Sequence, residues 1–363
     1  MKGAKDHFLS IIAGLTFCAL LFCGGGAKSI LFSAVTLSSG LQMLRIGSSD
    51  GGKVIKSKQN SEISEQSAGQ TNELSSDGET AQSFDGGTDN SSGESVRPTD
   101  VETGDIKSVA LEIGGNCSTD GVHINNTAGV DIDVASLLSQ GLPFTVEQSD
   151  EPQVLIYHTH GTECYSEKDD GFYIKDSDHT RSTDTSKNTI RVGDAIAEEL
   201  NNNGIITIND RTMHDKDSYT GSYSRSEQTV REYLEKYPSI KVVIDGHRDS
   251  ITQSNGTKIK PTAEINGKKA AQVMVLAGCQ SGDITDYPNW QENLRFNLIL
   301  QKCLETDYPG LARTMSFKSC KYNFDIMNGS ILLEIGSEAN TLEEAIYSGQ
   351  LIGKALVKIF KSQ

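Results

Sequence analysis

Apolar residues return along this chain in two alternating rhythms. Val154–Tyr157 and residues 205–208, 240–245, 272–277 and 331–335 have the length and composition of buried strands. Between them lie stretches with apolar residues three and four positions apart. Residues 188–203 carry Ile190, Val192, Ile196 and Leu200 at helical spacing and stop at Asn203-Gly204, a left-handed helix end. Ser224-Arg225-Ser226-Glu227 has capping-box spacing before an amphipathic stretch that reaches Tyr237 and ends at Pro238. Residues 290–307 bring Leu294, Leu298 and Leu304 into a helix closed by Pro309-Gly310. Thr341-Leu342-Glu343-Glu344 is a second capping box, opening a helix to Phe360. Residues 109–113 and 122–124 read as short strands of an entry layer. Strands alternating with helices predict an α/β fold, with a mostly parallel sheet covered by helices on both faces. Ligands of such sheets bind beyond the carboxyl ends of the strands.

Ahead of this rhythm the pattern changes twice. Residues 8–23 are almost wholly apolar and follow Lys2 and Lys5, and a second apolar patch, residues 30–37, follows Gly24-Gly25-Gly26. Together they reach the roughly 20 residues needed to span a bilayer. They read as an uncleaved N-terminal anchor with its tip in the cytoplasm, with a cleaved signal peptide as the alternative. Residues 47–107 are dominated by Ser, Gly, Asp, Glu, Gln, Thr and Asn, with Phe84 for an aromatic. Such a segment cannot bury enough apolar surface to offset its ordering entropy and reads as a flexible acidic tether. The expected organisation is an anchor region (1–46), a linker (47–107) and a catalytic domain (108–363), a membrane-held enzyme with its domain outside the cytoplasm. The net charge of −16 argues against nucleic acid as a partner. Seven cysteines include no Cys-x-x-Cys pair, and five of them, an odd number, follow the linker, so no full disulfide framework is expected.

The candidate chemistry sits where apolar strands end. Val154–Tyr157 empties into His158-Thr159-His160-Gly161-Thr162-Glu163, a later strand into Asp245-Gly246-His247-Arg248-Asp249, and a third into Glu334. Three strand ends delivering His-x-x-Glu, His and Glu read as a mononuclear zinc hydrolase site. His160, Glu163 and His247 would hold Zn2+ with a place left for water, and Glu334 would move the proton. Only one of His158 and His160 is expected to face the metal, the other orienting the site or touching substrate. Arg248 and Asp249 form either an ion pair of little weight or a clamp on a substrate carboxylate or carbonyl. Cys164 reads as a packed thiol rather than a nucleophile. His179 and His214, in polar surroundings, read as exposed loop residues, and His7 and His123 show no partner.

Four runs together resemble the stage II sporulation protein P family. They are Tyr157-His158-Thr159-His160-Gly161-Thr162-Glu163, Asp245-Gly246-His247-Arg248-Asp249, Trp290-Gln291-Glu292-Asn293 and Leu333-Glu334-Ile335-Gly336-Ser337-Glu338-Ala339-Asn340-Thr341. The resemblance covers residues 108–363, and that family is similar to the zinc-dependent N-acetylmuramoyl-L-alanine amidases. It implies cleavage of the amide between the muramic acid lactyl group and L-alanine in peptidoglycan, with a second, endopeptidase cut in the stem-peptide cross-link. It also implies action between the mother-cell and forespore membranes during engulfment, beside a lytic transglycosylase, stage II sporulation protein D. Glu334 would correspond to the amidase catalytic glutamate. One departure stands out: the amidases place their zinc glutamate at the start of a later helix, where this chain has Lys187-Asn188, which leaves Glu163 as the chosen ligand. Two other functions fit the same residues. A metallocarboxypeptidase would use Arg248 as its terminal-carboxylate clamp, and a membrane-tethered wall-binding protein would need no metal.

Overall fold

Strands and helices here form where buried apolar runs are bounded by caps and turns. The structure, a computed structural model, describes residues 41–45, 54–58, 96–177 and 180–363. The expected anchor and most of the expected tether lie outside the described residues. Among the described residues no helix is long and apolar enough to cross a membrane.

In chain order the strands are β1 (Leu41–Arg45), β2 (Val54–Lys58), β3 (Thr103–Val109), β4 (Cys117–Thr119), β5 (Val122–Asn126), β6 (Val154–Tyr157) and β7 (Phe172–Ile174). They continue with β8 (Thr207–Asn209), β9 (Val242–Asp249), β10 (Lys258–Ile265), β11 (Lys268–Ala271), β12 (Val273–Cys279), β13 (Met315–Ser319) and β14 (Ser330–Ser337). The α-helices are α1 (Val134–Ser139), α2 (Thr189–Asn202), α3 (Ser222–Lys236), α4 (Trp290–Asp307) and α5 (Leu342–Lys361). β1 and β2 pair antiparallel. A four-stranded sheet runs β11-β10-β3-β7, and an eight-stranded sheet runs β4-β5-β13-β12-β14-β9-β6-β8. β3 crosses the linker boundary set at residue 107, starting at Thr103 and pairing with β10 and β7. Within β3 only Gly104 is buried, which explains why no apolar run announces the strand.

The large sheet is mixed rather than mostly parallel throughout. β5-β13-β12 and β14-β9-β6-β8 are parallel runs, whereas β12 pairs antiparallel with β14, and β4 with β5. The reason lies in a connection. β13 and β14 are joined by residues 320–329, shorter than the dozen or so residues a parallel crossover needs. Side-chain alternation then divides the core. Val154, Ile156, Val242, Ile244 and Leu333 share one cluster with Val192 and Ile196 of α2, Leu298 of α4 and Leu356 of α5. Leu155, Tyr157 and Val243 point the other way, against Val230, Tyr233 and Leu234 of α3. Helices therefore cover both faces, and the strand ends between them are left to form a crevice.

Local signals set the ends of several elements. Asn188 caps α2 by accepting from Ile190 N, and Thr341 and Glu344 form the expected capping box of α5. The other expected box is not a cap: α3 begins at Ser222, after Gly221 at φ 79°, so Ser224 and Glu227 lie inside the helix. β9 runs past the expected end at residue 245 to Asp249. His247, Arg248 and Asp249 therefore belong to a strand, with His247 in register with Glu334 of β14.

Candidate active site

His160, Glu163, His247 and Glu334 meet in one buried crevice at the β6, β9 and β14 ends. The His160 and His247 rings lie 5.3 Å apart, centroid to centroid, at 82°. Glu163 Oε2 is 3.6 Å from His247 Nδ1. On its other side His247 Nε2 lies 2.9 Å from Asp245 Oδ1, without the alignment of a hydrogen bond. His160 Nδ1 faces Ser222 Oγ at 3.4 Å and Asp215 Oδ2 at 3.9 Å, while its ring stacks on Tyr219 at 4.4 Å. Glu334 Oε2 is buried and has no hydrogen-bond partner.

Each group's electrostatics follows from this crowding. Burial, then the charge of His247, depresses the His160 pKa to about 4. Burial pushes His247 down as well, but Asp245 and Glu163 outweigh it and hold its pKa well above the usual range. Glu163 is pushed up by burial and pulled down harder by His247, Arg248 and His160, to about 2. For Glu334 burial, then the neighbouring Asp249, outweighs the pull of His247 and Arg313 and raises it to about 8.

The other residues nominated from the sequence lie around the crevice rather than in it. His158 is buried behind it, with Nδ1 donating to Gly246 O at 2.9 Å and Nε2 3.0 Å from Asn209 Oδ1. A Cβ at Gly246 or Gly193 would come within 2.8 Å of the His158 ring, so those two glycines make its slot. Arg248 donates to Cys164 O and Thr180 O and, from its backbone N, to Glu163 Oε2. Its guanidinium ties Cys164 to Thr180, beside the turn that carries Glu163. Asp249 accepts from Ser250 N and sits 2.9 Å from Arg313 in a buried pair. Cys164 is buried, and none of the five described cysteines is in a disulfide.

Two histidines differ from expectation. His214 is buried, not exposed: Nδ1 donates to His158 O, and Nε2 meets Thr229 Oγ1 at 2.9 Å. His123 does have a partner, Glu305 Oε2 at 2.7 Å. His7 and His179 lie outside the described residues. Sequence reading also missed Asp215, which accepts from Thr162 N and Thr162 Oγ1 and pairs with Arg181, fixing the loop between His160 and Glu163. It missed Tyr219, Tyr223 and Asp245 too. Asp245 ends the very apolar run that was singled out, so its placement beside His247 was legible. Asp215 and Tyr219 sit in a polar loop with no periodic signal.

Among the described residues no group of three or more His, Cys, Asp or Glu side chains is placed so that it could hold a metal ion. The donor chemistry nevertheless suits zinc. Two imidazoles and a carboxylate share the crevice, and each histidine turns one nitrogen toward an aspartate, the arrangement that orients metal-binding histidines.

The sequence model of the stage II sporulation protein P (SpoIIP) family matches residues 36–357, and the chain belongs to that family. A particular relative, stage II sporulation protein P of Bacillus subtilis (strain 168), is 32% identical over 206 residues. That alignment covers 54% of this chain and 48% of the relative, about half its length. Solved N-acetylmuramoyl-L-alanine amidases are more loosely similar. The enzyme of Clostridium difficile 630 gives a TM-score of 0.36 at 14% identity, over 59% of this chain and 97% of that one. The enzyme of Nostoc punctiforme gives 0.31 at 10% identity, again over 59% and 97%.

Proposed function

We propose that this chain is a peptidoglycan hydrolase of sporulation that cleaves the N-acetylmuramoyl-L-alanine amide, with a further endopeptidase cut in stem-peptide cross-links. Family membership supports the setting, and one observation carries the chemistry. A buried carboxylate oxygen without a hydrogen-bond partner, Glu334 Oε2, belongs to a residue in register with His247 and close to it and to a second carboxylate, Glu163, at the strand ends. His160, Glu163 and His247 would hold zinc. When bound, the ion supplies a Lewis acid for the scissile carbonyl and brings the pKa of water toward neutrality.

This chain's own residues do the rest. Glu334, as the ionised carboxylate, takes the proton of the attacking water and returns it to the departing amine nitrogen. Asp245 orients His247, and Asp215 with Ser222 orients His160. Arg248 holds the Glu163 loop against β9. That engagement speaks against the carboxypeptidase reading, since its guanidinium is already bound to Cys164 O and Thr180 O. We place the enzyme at the membrane on the wall side, beside a lytic transglycosylase that trims the denuded glycan.

The test is digestion of purified peptidoglycan by the zinc-supplemented chain, with products identified by mass spectrometry. New L-alanine amino termini are expected. Release of terminal amino acids alone would replace the proposal with a carboxypeptidase, and an unchanged wall would leave a binding protein.

A further inference from the structure

A groove of about 550 Å³ opens beside the crevice and is unused by the mechanism above. It meets the crevice at Cys164, which follows Glu163 in the chain, and at Arg181, whose Nη2 lies 3.8 Å from Glu163 Oε1. Its lining includes all three residues of β7, Phe172, Tyr173 and Ile174. Side chains alternate between the faces of a strand, so Phe172 and Ile174 point one way and Tyr173 the other. A groove that touches all three runs along the edge of the strand rather than over one face.

That edge is open. β7 ends the order β11-β10-β3-β7, so among the described residues β3 is its one strand partner. In an antiparallel pair, positions that exchange both backbone bonds alternate with positions whose N–H and C=O point away from the partner. Lys175 N donates to Glu102 O, and Ile106 N donates to Gly171 O. With Gly104 opposite Tyr173, the bonded positions are therefore Glu102–Lys175, Gly104–Tyr173 and Ile106–Gly171. Phe172 and Ile174 fall between them. Their N–H and C=O groups point away from β3, and among the described residues no hydrogen bond takes them. A row of open backbone groups along a groove suits an extended peptide held by main-chain bonds.

We propose that the free edge of β7 binds the stem peptide of the wall substrate, laid alongside it as an added strand. Continuity with the crevice selects this occupant, because the stem peptide leaves the scissile amide and the groove leaves the crevice. Main-chain recognition also suits a peptide that mixes L and D residues, since it reads amides rather than side chains. A glutamate linked through its γ-carboxyl fits the same edge. Extended, it turns its N–H and γ-C=O to one side, separated by the same number of bonds as Phe172 C=O and Ile174 N–H. The inference rests on the hydrolase reading for its substrate class, yet binding tests it without hydrolysis.

The experiment is titration calorimetry of the full chain with L-Ala-γ-D-Glu-L-Lys and with the depsipeptide in which oxygen replaces the glutamyl N–H. The amide peptide should bind at least about tenfold more tightly, since the ester removes a donor and leaves Phe172 O unmet. Ile174→Pro removes an outward N–H and sets a ring where the added strand would lie, and proline is tolerated on an edge whose N–H faces away from the sheet. Affinity for the amide peptide should fall at least about tenfold at an unchanged melting temperature. Tyr173→Pro, which takes a donor from the ladder with β3, should lower the melting temperature instead. The reverse pattern of melting temperatures would mean that Ile174 N–H faces β3, and overturns the proposal. So does equal binding of amide and ester by the unaltered chain, an arm that needs no variant. Failure to bind the amide peptide at all gives the edge to another occupant and overturns it too. Wall digestion run alongside separates the two ideas. Amide-selective binding with no cleavage sinks the hydrolase and keeps the subsite, and cleavage with equal binding does the reverse.

Discussion

Two pairs of histidines, one member of each only two residues apart on the same loop, have opposite fates. His158 and His214 form a saturated set: each ring nitrogen meets a backbone carbonyl, an amide or a hydroxyl, and glycines close around His158. His160 and His247 form the open set, where contacts are long or misaligned and Glu334 Oε2 has no partner at all. Residue type is the same in both, so identity alone does not make a ligand. What separates them is whether the surrounding backbone consumes the ring's donors and acceptors. A saturated histidine stiffens the platform, and an open one can serve chemistry.

The sharpest way to break this comparison is to remove an open-set histidine. His247→Ala should abolish zinc retention and wall hydrolysis while leaving circular dichroism of the domain intact. Stoichiometric zinc in that variant would return His247 to the structural class.

Next in size is Glu334→Gln, which keeps shape and removes the proton acceptor. Hydrolysis should fall by about a hundredfold or more with zinc content unchanged. Stability should move the other way in the metal-free chain. Folded Glu334 keeps its proton to about pH 8 against an ordinary value of 4.5, so the unfolded chain sheds it first. Between those values each rise in pH destabilises the fold, and the Gln variant escapes this, gaining on the order of a few kcal/mol at pH 8. Loss of both rate and melting temperature would mark Glu334 as a structural carboxylate.

How much of this was legible before any coordinates depends on what each element is made of. β6 and α4 could be bounded to the residue because apolar runs meet polar turns or proline at their ends. β9 could not, because its last residues are charged, and they are buried only through pairing with β14 and Arg313. β3 could not, because its partners rather than its own side chains hold it in place. In the site, His160, Glu163, His247 and Glu334 could be nominated from strand ends. The division of labour between His158 and His160 was foreseen as a choice; the slot formed by Gly193 and Gly246 encloses His158 and not His160. His214 and Asp215 were hidden by their setting. A polar stretch reads as solvent-facing, and only the fold reveals that it packs against the back of the loop from His160 to Glu163.

The saturated set gives a smaller, different effect. His158→Ala strips donors from Gly246 O and leaves a cavity between two glycines, at a cost of roughly 1–3 kcal/mol. Melting temperature should drop while zinc stoichiometry survives. If His158→Ala instead loses zinc at unchanged stability, the two sets have been assigned the wrong way round.

The mildest expected effect is the pH dependence of metal uptake, and it probes the open set as a unit. In the metal-free crevice Asp245 and Glu163 keep His247 protonated at neutral pH, whereas His160, at about 4, is already neutral. A histidine must be neutral to ligate, so uptake by His247 displaces its proton while His160 has none to lose. The sign is then fixed. Affinity should weaken as pH falls below 7, by about tenfold per pH unit for one displaced proton, until His160 also begins to protonate near 4 and the slope steepens. Titration calorimetry in two buffers of different ionisation enthalpy counts the proton directly. Asp245→Asn should lower the count, because without that carboxylate His247 no longer holds its proton so firmly. A count of zero in the unaltered chain would mean that His247 enters the site already neutral and that Asp245 orients the ring without charging it.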